Sequence, residues 1–366
     1  MKQLIIAAVM MITGLSVHGR DQETKNGNNI RFYDQNHFLI EGIAFADSVR
    51  ESPYDRFPLS MKSKVREPVW SLSRNSAGVS IRFISNTTAI RVKWELLEDL
   101  RMNHMAETGI KGIDLYFMGK AGWQYVNTAR PEGKSNDFLL ISNMTPERRE
   151  YRMYLPLYDG VTRIEVGIDS LAYISKPEKQ KVRPIVFYGT SITQGGCASR
   201  PGMVHTSIIS RKLGIECMNF GFSGNGRMEK PVVDLIAGID ALFYVIECSE
   251  NMTPEEIKAN SGPLLEIIRQ KHPITPVLFV NNANYEISSL SESAMKYIIA
   301  KNKMFREVFM DLIEAGNKNI YLIDKEKSLG HDHEATVDGE HLTDLGFMRY
   351  AEFLLGRFRE LGLPAE

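Results

Sequence analysis

The stretch Ile185-Val186-Phe187-Tyr188-Gly189-Thr190-Ser191-Ile192-Thr193-Gln194-Gly195-Gly196 decides how this chain is read. Four apolar residues stop at a glycine, and small, hydroxylated residues follow. A short apolar run bounded by turn residues has the pattern of a buried parallel strand. Gly189 suits a sharp turn because it has no Cβ to clash. Thr190-Ser191 then puts a hydroxyl at the start of whatever comes next. Taken alone, Ser191 reads equally as a turn or helix-cap serine and as an exposed nucleophile.

Downstream the same rhythm repeats. Strands are expected at Ile185–Tyr188, Glu216–Phe220, Ala241–Ile246, Pro276–Val280 and Ile320–Ile323. Helices are expected at about Met203–Leu213, Pro231–Ala237, Pro254–Lys271, Ser289–Ala315 and Asp344–Leu361. Apolar strands alternating with amphipathic helices predict an α/β domain, a parallel sheet covered by helices on both faces. In such sheets the site lies beyond the carboxyl ends of the strands. The loops that matter are therefore those following each strand.

The last loop, Val337-Asp338-Gly339-Glu340-His341-Leu342-Thr343-Asp344, contains Asp-x-x-His just before a helix. That spacing lets the Asp338 carboxylate reach the Nδ1 side of the His341 imidazole, leaving Nε2 for a serine hydroxyl. The loop after the second strand, Asn219-Phe220-Gly221-Phe222-Ser223-Gly224-Asn225-Gly226, offers a bare backbone N–H at Gly224. The loop after the third, Glu247-Cys248-Ser249-Glu250-Asn251, offers the Asn251 side-chain amide. Donors of this kind can hold a developing oxyanion. Each also has a plain structural reading: a turn glycine, a cap for the helix starting near Pro254, polar loop residues near the last helix. Their order along one sheet edge favours chemistry.

Upstream, Lys176-Pro177-Glu178-Lys179-Gln180-Lys181-Val182-Arg183-Pro184 is charged and flanked by prolines, as a domain junction is. Before it, segments such as Val79–Phe83, Ala89–Trp94, Ile113–Phe117 and Arg163–Ile168 alternate apolar and polar residues at period two. They predict an antiparallel β-sandwich with one wet face per sheet. The resulting division is a sandwich over residues 28–176 and an α/β domain over residues 183–366. Residues 1–19 read as a signal peptide: Met1-Lys2-Gln3 is a basic start, Leu4 to Leu15 an apolar core, and Ser16-Val17-His18-Gly19 a small-residue cut site. That run is short for a membrane span. Export to the periplasm or the extracellular space is the expectation, without stable membrane insertion.

The remaining composition excludes more than it asserts. The 366 residues are 43% apolar and 24% charged with a net charge of −1, and no basic block asks for nucleic acid. Three cysteines, Cys197, Cys217 and Cys248, are too few and too odd for a disulfide scaffold, though one bridge is possible. His331-Asp332-His333 is the only tempting metal-like group, and it reads better as a polar loop. No metal or organic cofactor is called for, and nothing in the sequence speaks to oligomeric state.

Together, Gly189-Thr190-Ser191-Ile192, Gly224, Asn251 and Asp338 with His341 resemble the blocks of the SGNH (GDSL-type) hydrolases, over roughly Pro184 to the end. The absence of glycine at position 193 sets this apart from the Gly-x-Ser-x-Gly elbow of α/β-hydrolases. Gly112-Ile113-Asp114-Leu115-Tyr116 resembles the Gly-x-Asp-Leu-Tyr motif of the β-sandwich that precedes some SGNH domains. The resemblance implies a flavodoxin-like sheet behind a jelly-roll-like sandwich, as in some carbohydrate acetylesterases. It implies a Ser191–His341–Asp338 triad with the Ser191 and Gly224 N–H groups and the Asn251 side chain as oxyanion hole. The activity expected is hydrolysis of an ester, an O-acetyl group on an extracytoplasmic carbohydrate. Lipase, lysophospholipase or acyltransferase activity at the same residues is the alternative, as is a carbohydrate-binding protein with a silent hydrolase domain. Two positions depart from the family pattern: Glu247 stands where Asp is expected, and His341 is followed by Leu342 rather than Pro. In some two-domain relatives a backbone carbonyl orients the histidine, which would leave Asp338 outside the catalytic set. Arg200, Asn225, Arg227, Asn284 and Tyr285 are candidates to line a sugar site.

Overall fold

The computed structural model describes residues 29–179, 181–283, 286–326 and 328–364, without the side chain of Ile287. The proposed signal peptide and the candidate sugar-site residues Asn284 and Tyr285 lie outside the described residues.

The N-terminal half is built from ten strands: β1 (Ile30–Tyr33), β2 (Leu39–Glu41), β3 (Ser80–Ser85), β4 (Ile90–Leu96), β5 (Ile113–Gly119), β6 (Gly122–Ala129), β7 (Ser135–Ile141), β8 (Arg149–Tyr154), β9 (Val161–Asp169) and β10 (Ile174–Ser175). Two short helices, α1 (Glu67–Ser73) and α2 (Glu107–Ile110), interrupt them. The strands form two antiparallel sheets, ordered β1-β9-β4-β7 and β10-β3-β8-β5-β6, with β2 added on β3. On β4, Ile90, Val92, Trp94 and Leu96 point inward and are buried, while Arg91, Lys93 and Glu95 alternate with them. They meet Phe83, Leu115 and Met153 of the facing sheet in one apolar core.

The outer face of the second sheet is largely covered, contrary to the expectation from alternation, and only its β6 end keeps an exposed ring, Tyr125. Every residue of β3 is buried. The sheet's polar side chains lie against the C-terminal half instead. Arg82 and Arg152 share Glu41 at 2.5 and 2.9 Å, Arg152 also donates to the Ser210 hydroxyl at 3.3 Å, and the Tyr154 hydroxyl donates to the Ser207 carbonyl at 3.3 Å. Buried charges need such partners. Period-two alternation reports only that one face is polar; here a domain interface, not water, satisfies it.

The C-terminal half contains β11 (Ile185–Gly189), α3 (Ser191–Gln194), α4 (His205–Leu213), β12 (Cys217–Gly221), α5 (Lys230–Ile236), β13 (Phe243–Glu247), α6 (Pro254–Lys271), β14 (Val277–Val280), α7 (Glu292–Glu314), β15 (Ile320–Ile323) and α8 (Asp344–Glu360). The strands are parallel in the order β12-β11-β13-β14-β15, the flavodoxin-like order. Alternate strand residues feed two layers. Ile185, Phe187, Val245 and Leu278 pack with α4 and α8, whereas Val186, Tyr188, Ile246 and Phe279 pack with α5, α6 and α7. The order reverses at β11, so its carboxyl end is the switch point where a ligand crevice opens. Gly189 stands there in register with Gly221 on one side and Glu247 on the other.

Strand β12 is the sheet edge, and the sandwich half covers it. Arg56, fully buried, donates to the Asn219 and Gly221 carbonyls at 3.0 and 2.7 Å, and to the Asn75 and Leu72 carbonyls at 2.9 and 2.6 Å. Its guanidinium lies 4.9 Å from the centre of the Phe222 ring. Burial pushes this group down to about 9, which still leaves it charged at neutral pH. One side chain from the sandwich thus ties up edge carbonyls that would otherwise be open to another strand.

Helix α4 begins at His205 rather than Met203, because Pro201–Met203 forms a separate 3-10 turn. The three cysteines are buried and free, so the bridge that the sequence allowed is not formed.

Candidate active site

The site assembles from the ends of β11, β12 and β13 and the loop before α8. Ser191 is the first residue of α3, a single helical turn closed by Gly195 at φ 117°. The first N–H groups of a helix have no partner inside it, which leaves the Ser191 N–H available. The tightness of the turn explains its glycines. A Cβ on Gly189 would come within 2.0 Å of Thr193 Oγ1, and one on Gly221 within 2.0 Å of the Gln194 nitrogen. Both β11 and β12 therefore press directly on α3 and fix where Ser191 stands.

The loop before α8 brings the partners. The His341 carbonyl accepts from the Val337 N–H at 2.7 Å, and the Ala335 carbonyl accepts from the Thr343 N–H at 2.9 Å. Thr343 caps α8, its hydroxyl accepting from the Gly346 N–H at 3.1 Å. Leu342 is fully buried in the core. This holds the His341 ring with Nδ1 2.8 Å from Asp338 Oδ2 and Nε2 3.0 Å from Ser191 Oγ. The group facing Nδ1 is thus the Asp338 carboxylate and not a backbone carbonyl. The carboxylate accepts from Nδ1–H, so Nε2 presents its lone pair to the Ser191 hydroxyl. Partial burial works against the Asp338 charge, but bonds from the His341 backbone and ring and from the Glu340 N–H hold its carboxyl below the usual range. It is an anion at neutral pH. Cys197, the other potential nucleophile nearby, is out of contention. Burial, reinforced by the Asp338 charge, pushes its thiol up to about 12.

The two proposed oxyanion donors lie on neighbouring loops that bond to each other. Gly224 has φ +67°, a left-handed conformation that glycine adopts freely. The Gly226 N–H donates to Asn251 Oδ1 at 3.2 Å, which leaves the Asn251 NH₂ as the free end of that amide. Gly226 itself is packed so closely on the Gly189 carbonyl that a Cβ would come within 2.1 Å of its oxygen. Asn251 does not cap α6. Thr253 does, in a capping box with Glu256. The Asn251 turn is held from behind by Lys301, whose Nζ donates to the Glu250 carbonyl at 2.9 Å, and by Lys325, which pairs with Glu250 at 2.6 Å.

Several supporting roles escaped the sequence reading. Gln194, fully buried, accepts from the Ser223 N–H at 2.9 Å and donates to the Leu157 carbonyl at 3.1 Å, joining α3 to the Gly224 loop and to the sandwich half. Glu247, the departure from the family pattern, accepts from Thr193 Oγ1 at 2.8 Å and His205 Nε2 at 3.1 Å, and from the Tyr350 hydroxyl. A single buried carboxylate thereby ties α3, α4 and α8 together beneath Ser191. Burial would raise its pKa, but His205, then Lys325 and the hydroxyl bond from Tyr350, hold it down to about 2. A carboxyl with a depressed folded pKa adds stability above its unfolded pKa and loses it as pH falls through the folded one. Urea midpoints measured from pH 6 to pH 3 are expected to drop more steeply for the native chain than for Glu247→Gln. Parallel curves would remove Glu247 from this role.

The Gly-x-Asp-Leu-Tyr motif also acquires a physical meaning. Asp114 is fully buried on β5 and accepts from Arg200 at 2.7 Å, the Gly202 N–H at 2.8 Å and Thr128 Oγ1 at 2.7 Å. Burial raises its pKa against the pull of Arg200. Tyr116 presents its ring to Arg200, whose guanidinium also lies 3.9 Å from the centre of the Tyr125 ring. The motif thus clamps the loop that leaves α3. Of the candidate sugar-site residues, Arg200 is engaged in this clamp, and Asn225 bonds to Arg66 at 2.9 Å and to the Ser223 carbonyl at 2.8 Å. Arg227 reaches Glu256 at 3.7 Å and the Gly224 carbonyl at 3.4 Å. In His331-Asp332-His333, Asp332 forms a double contact with Arg349 and His333 bonds to Glu286, so the group does not converge.

The family comparisons fit this geometry. Residues 182–358 match the model of the GDSL-like lipase/acylhydrolase family, and residues 30–174 match the GxDLY model, the N-terminus of SGNH-hydrolase-type esterases. The crystal structure of a GDSL-like lipase from Bacteroides ovatus is 34% identical, covers 91% of this chain and 98% of its own, and superposes with a TM-score of 0.87. At 16% identity, a salicylyl-acyltransferase from a tetracycline biosynthetic pathway shares the fold with a TM-score of 0.77 over 92% of this chain and 99% of its own. A family two carbohydrate esterase from Cellvibrio japonicus does so at 10% identity, with a TM-score of 0.60 over 91% of this chain and 98% of its own. No curated protein sequence matches the chain. With a full-length relative at 34% identity and both halves matched by their own models, the chain belongs to the GDSL-like lipase/acylhydrolase family, in the two-domain form with a GxDLY sandwich in front.

Proposed function

We propose that this protein is a serine ester hydrolase that removes O-acetyl groups from an extracytoplasmic carbohydrate through an acyl-enzyme. The observation that carries the reading is the continuous chain Ser191 Oγ, His341 Nε2, His341 Nδ1, Asp338 Oδ2, with links of 3.0 and 2.8 Å. His341 takes the Ser191 proton as the oxygen attacks the ester carbonyl. The N–H groups of Ser191 and Gly224 and the Asn251 amide hold the tetrahedral oxyanion. His341 then protonates the departing alcohol, and a water activated by the same histidine hydrolyses the acyl group, releasing acetate. Asp338 keeps the imidazole in the required tautomer and stabilises the imidazolium.

Two things support the carbohydrate half. The N-terminal apolar segment is what an exported protein carries, and O-acetyl groups are common small esters on extracytoplasmic polysaccharides. The family two carbohydrate esterases share the two-domain fold. Acetate release from a panel of acetylated polysaccharides is expected to exceed release of longer acyl chains from p-nitrophenyl esters by at least tenfold in kcat/KM. Preference for octanoate or longer would make this a lipase. Transfer of the acyl group to an added sugar in place of water would make it an acyltransferase.

A further inference from the structure

His104 comes from the sandwich half, on the loop between β4 and α2, yet its ring centre lies 5.8 Å from that of His341. Cys197 joins them. Its backbone N–H donates to the Leu342 carbonyl at 3.3 Å, which ties it to the loop that carries His341. One ligand atom from each of His104, Cys197 and His341 falls within 4.8 Å of the others. Among the described residues this is the one group of three histidine, cysteine or carboxylate side chains close enough to hold a metal ion.

We propose that His104, Cys197 and His341 form an inhibitory binding site for zinc or a similar borderline-soft divalent cation. The donor set, two imidazoles and a thiol, is one that such cations select over magnesium or calcium. Tetrahedral zinc with bonds of about 2.0 Å to nitrogen and about 2.3 Å to sulfur needs ligand atoms roughly 3.3 to 3.6 Å apart, a closure of at most about 1.5 Å from the present spacing. On His104, Asn103 Oδ1 takes Nδ1 at 3.0 Å, and with the proton on Nδ1 the Nε2 lone pair is free for an ion. Cys197 binds as thiolate, its proton passing to solvent as the ion arrives. The fourth position is left to water.

Inhibition follows from how both nitrogens of His341 are used, and in this the proposal rests on the catalytic reading above. Nε2 is engaged by Ser191 and Nδ1 by Asp338. Whichever nitrogen takes the ion, one link of the triad is broken and the histidine can no longer accept the serine proton. The site spans both halves of the chain, so the sandwich supplies one ligand to a switch on the other half's chemistry.

Equilibrium dialysis of the Ser191→Ala chain against buffered free zinc tests the site without needing activity. One zinc per chain is expected, with affinity weakened at least tenfold by adding either His104→Ala or Cys197→Ala. In the native chain, p-nitrophenyl acetate hydrolysis is expected to fall along the same zinc curve and return on chelation. The single substitutions keep the zinc-free rate and raise the half-inhibiting concentration at least tenfold. Circular dichroism melting checks that the variants fold, and His104, being only half-buried, is the safer of the two. Zinc binding that neither substitution weakens, or one zinc bound with no loss of rate, overturns the proposal. A chain that hydrolyses no ester overturns the proposed function instead, and dialysis still decides the zinc site.

Discussion

Ser191→Ala is expected to lower kcat/KM for p-nitrophenyl acetate by about 10⁴- to 10⁶-fold, because triad members act as a unit and the residual rate comes from binding and the oxyanion hole alone. The same logic makes His341→Ala nearly as severe and the double variant little worse than either single one. Stability should be almost unchanged. Ser191 is 8% exposed and its hydroxyl bonds to the His341 ring, which keeps 22% of its surface open to water, so its loss leaves no fully buried group unpaired. Paired rate measurements and melting curves check both halves of the statement. A variant that melts early and is inactive would say nothing about chemistry; one that folds and is inactive isolates the hydroxyl.

Asn251→Ala is expected to reduce kcat by about 10²- to 10³-fold with little change in KM, because its NH₂ meets charge that exists only in the transition state. The structure gives a reason for the size of the effect. Asn251 is not an adaptable surface amide. Its oxygen is fixed by the Gly226 N–H, and the preceding Glu250 is fixed by Lys301 and Lys325, so the donor is aimed before substrate arrives. Asn251→Asp is informative as a second variant: it keeps the acceptor for Gly226 but replaces the donor with a second oxygen, and it should be at least as slow as the alanine. An equal fall in kcat/KM through KM alone would move Asn251 from oxyanion stabilisation to ground-state binding.

What the sequence could show follows from how far each signal reaches along the chain. Strand β11 and its glycine were legible because burial on both faces gives an unbroken apolar run and the turn needs a residue without a Cβ. Asp338 and His341 were legible because they stand only three positions apart. Gly224 and Asn251 became readable only through their order relative to the strands. Gln194 and Arg56, which escaped, and Glu247, noted only as a departure, act over long separations. Glu247 meets Tyr350 and His205, and Arg56 meets Gly221, with nothing local to announce either contact. The same limit explains the misread sheet face. Arg82, Arg152 and Asp114 alternate with apolar neighbours as surface residues do, and only the second domain turns that face into an interface. Likewise His104 carries no sequence pattern at all. Its place beside His341 depends on how the two halves dock.

Every step of the mechanism depends on Ser191 being the residue that attacks. Labelling the native protein with a fluorophosphonate, followed by peptide mass spectrometry, tests this most directly. The prediction is one phosphonyl group per chain on the peptide containing Ser191, formed in step with loss of hydrolysis and absent from Ser191→Ala and strongly slowed in His341→Ala. Labelling at another residue, or esterase activity that survives in Ser191→Ala, would contradict it.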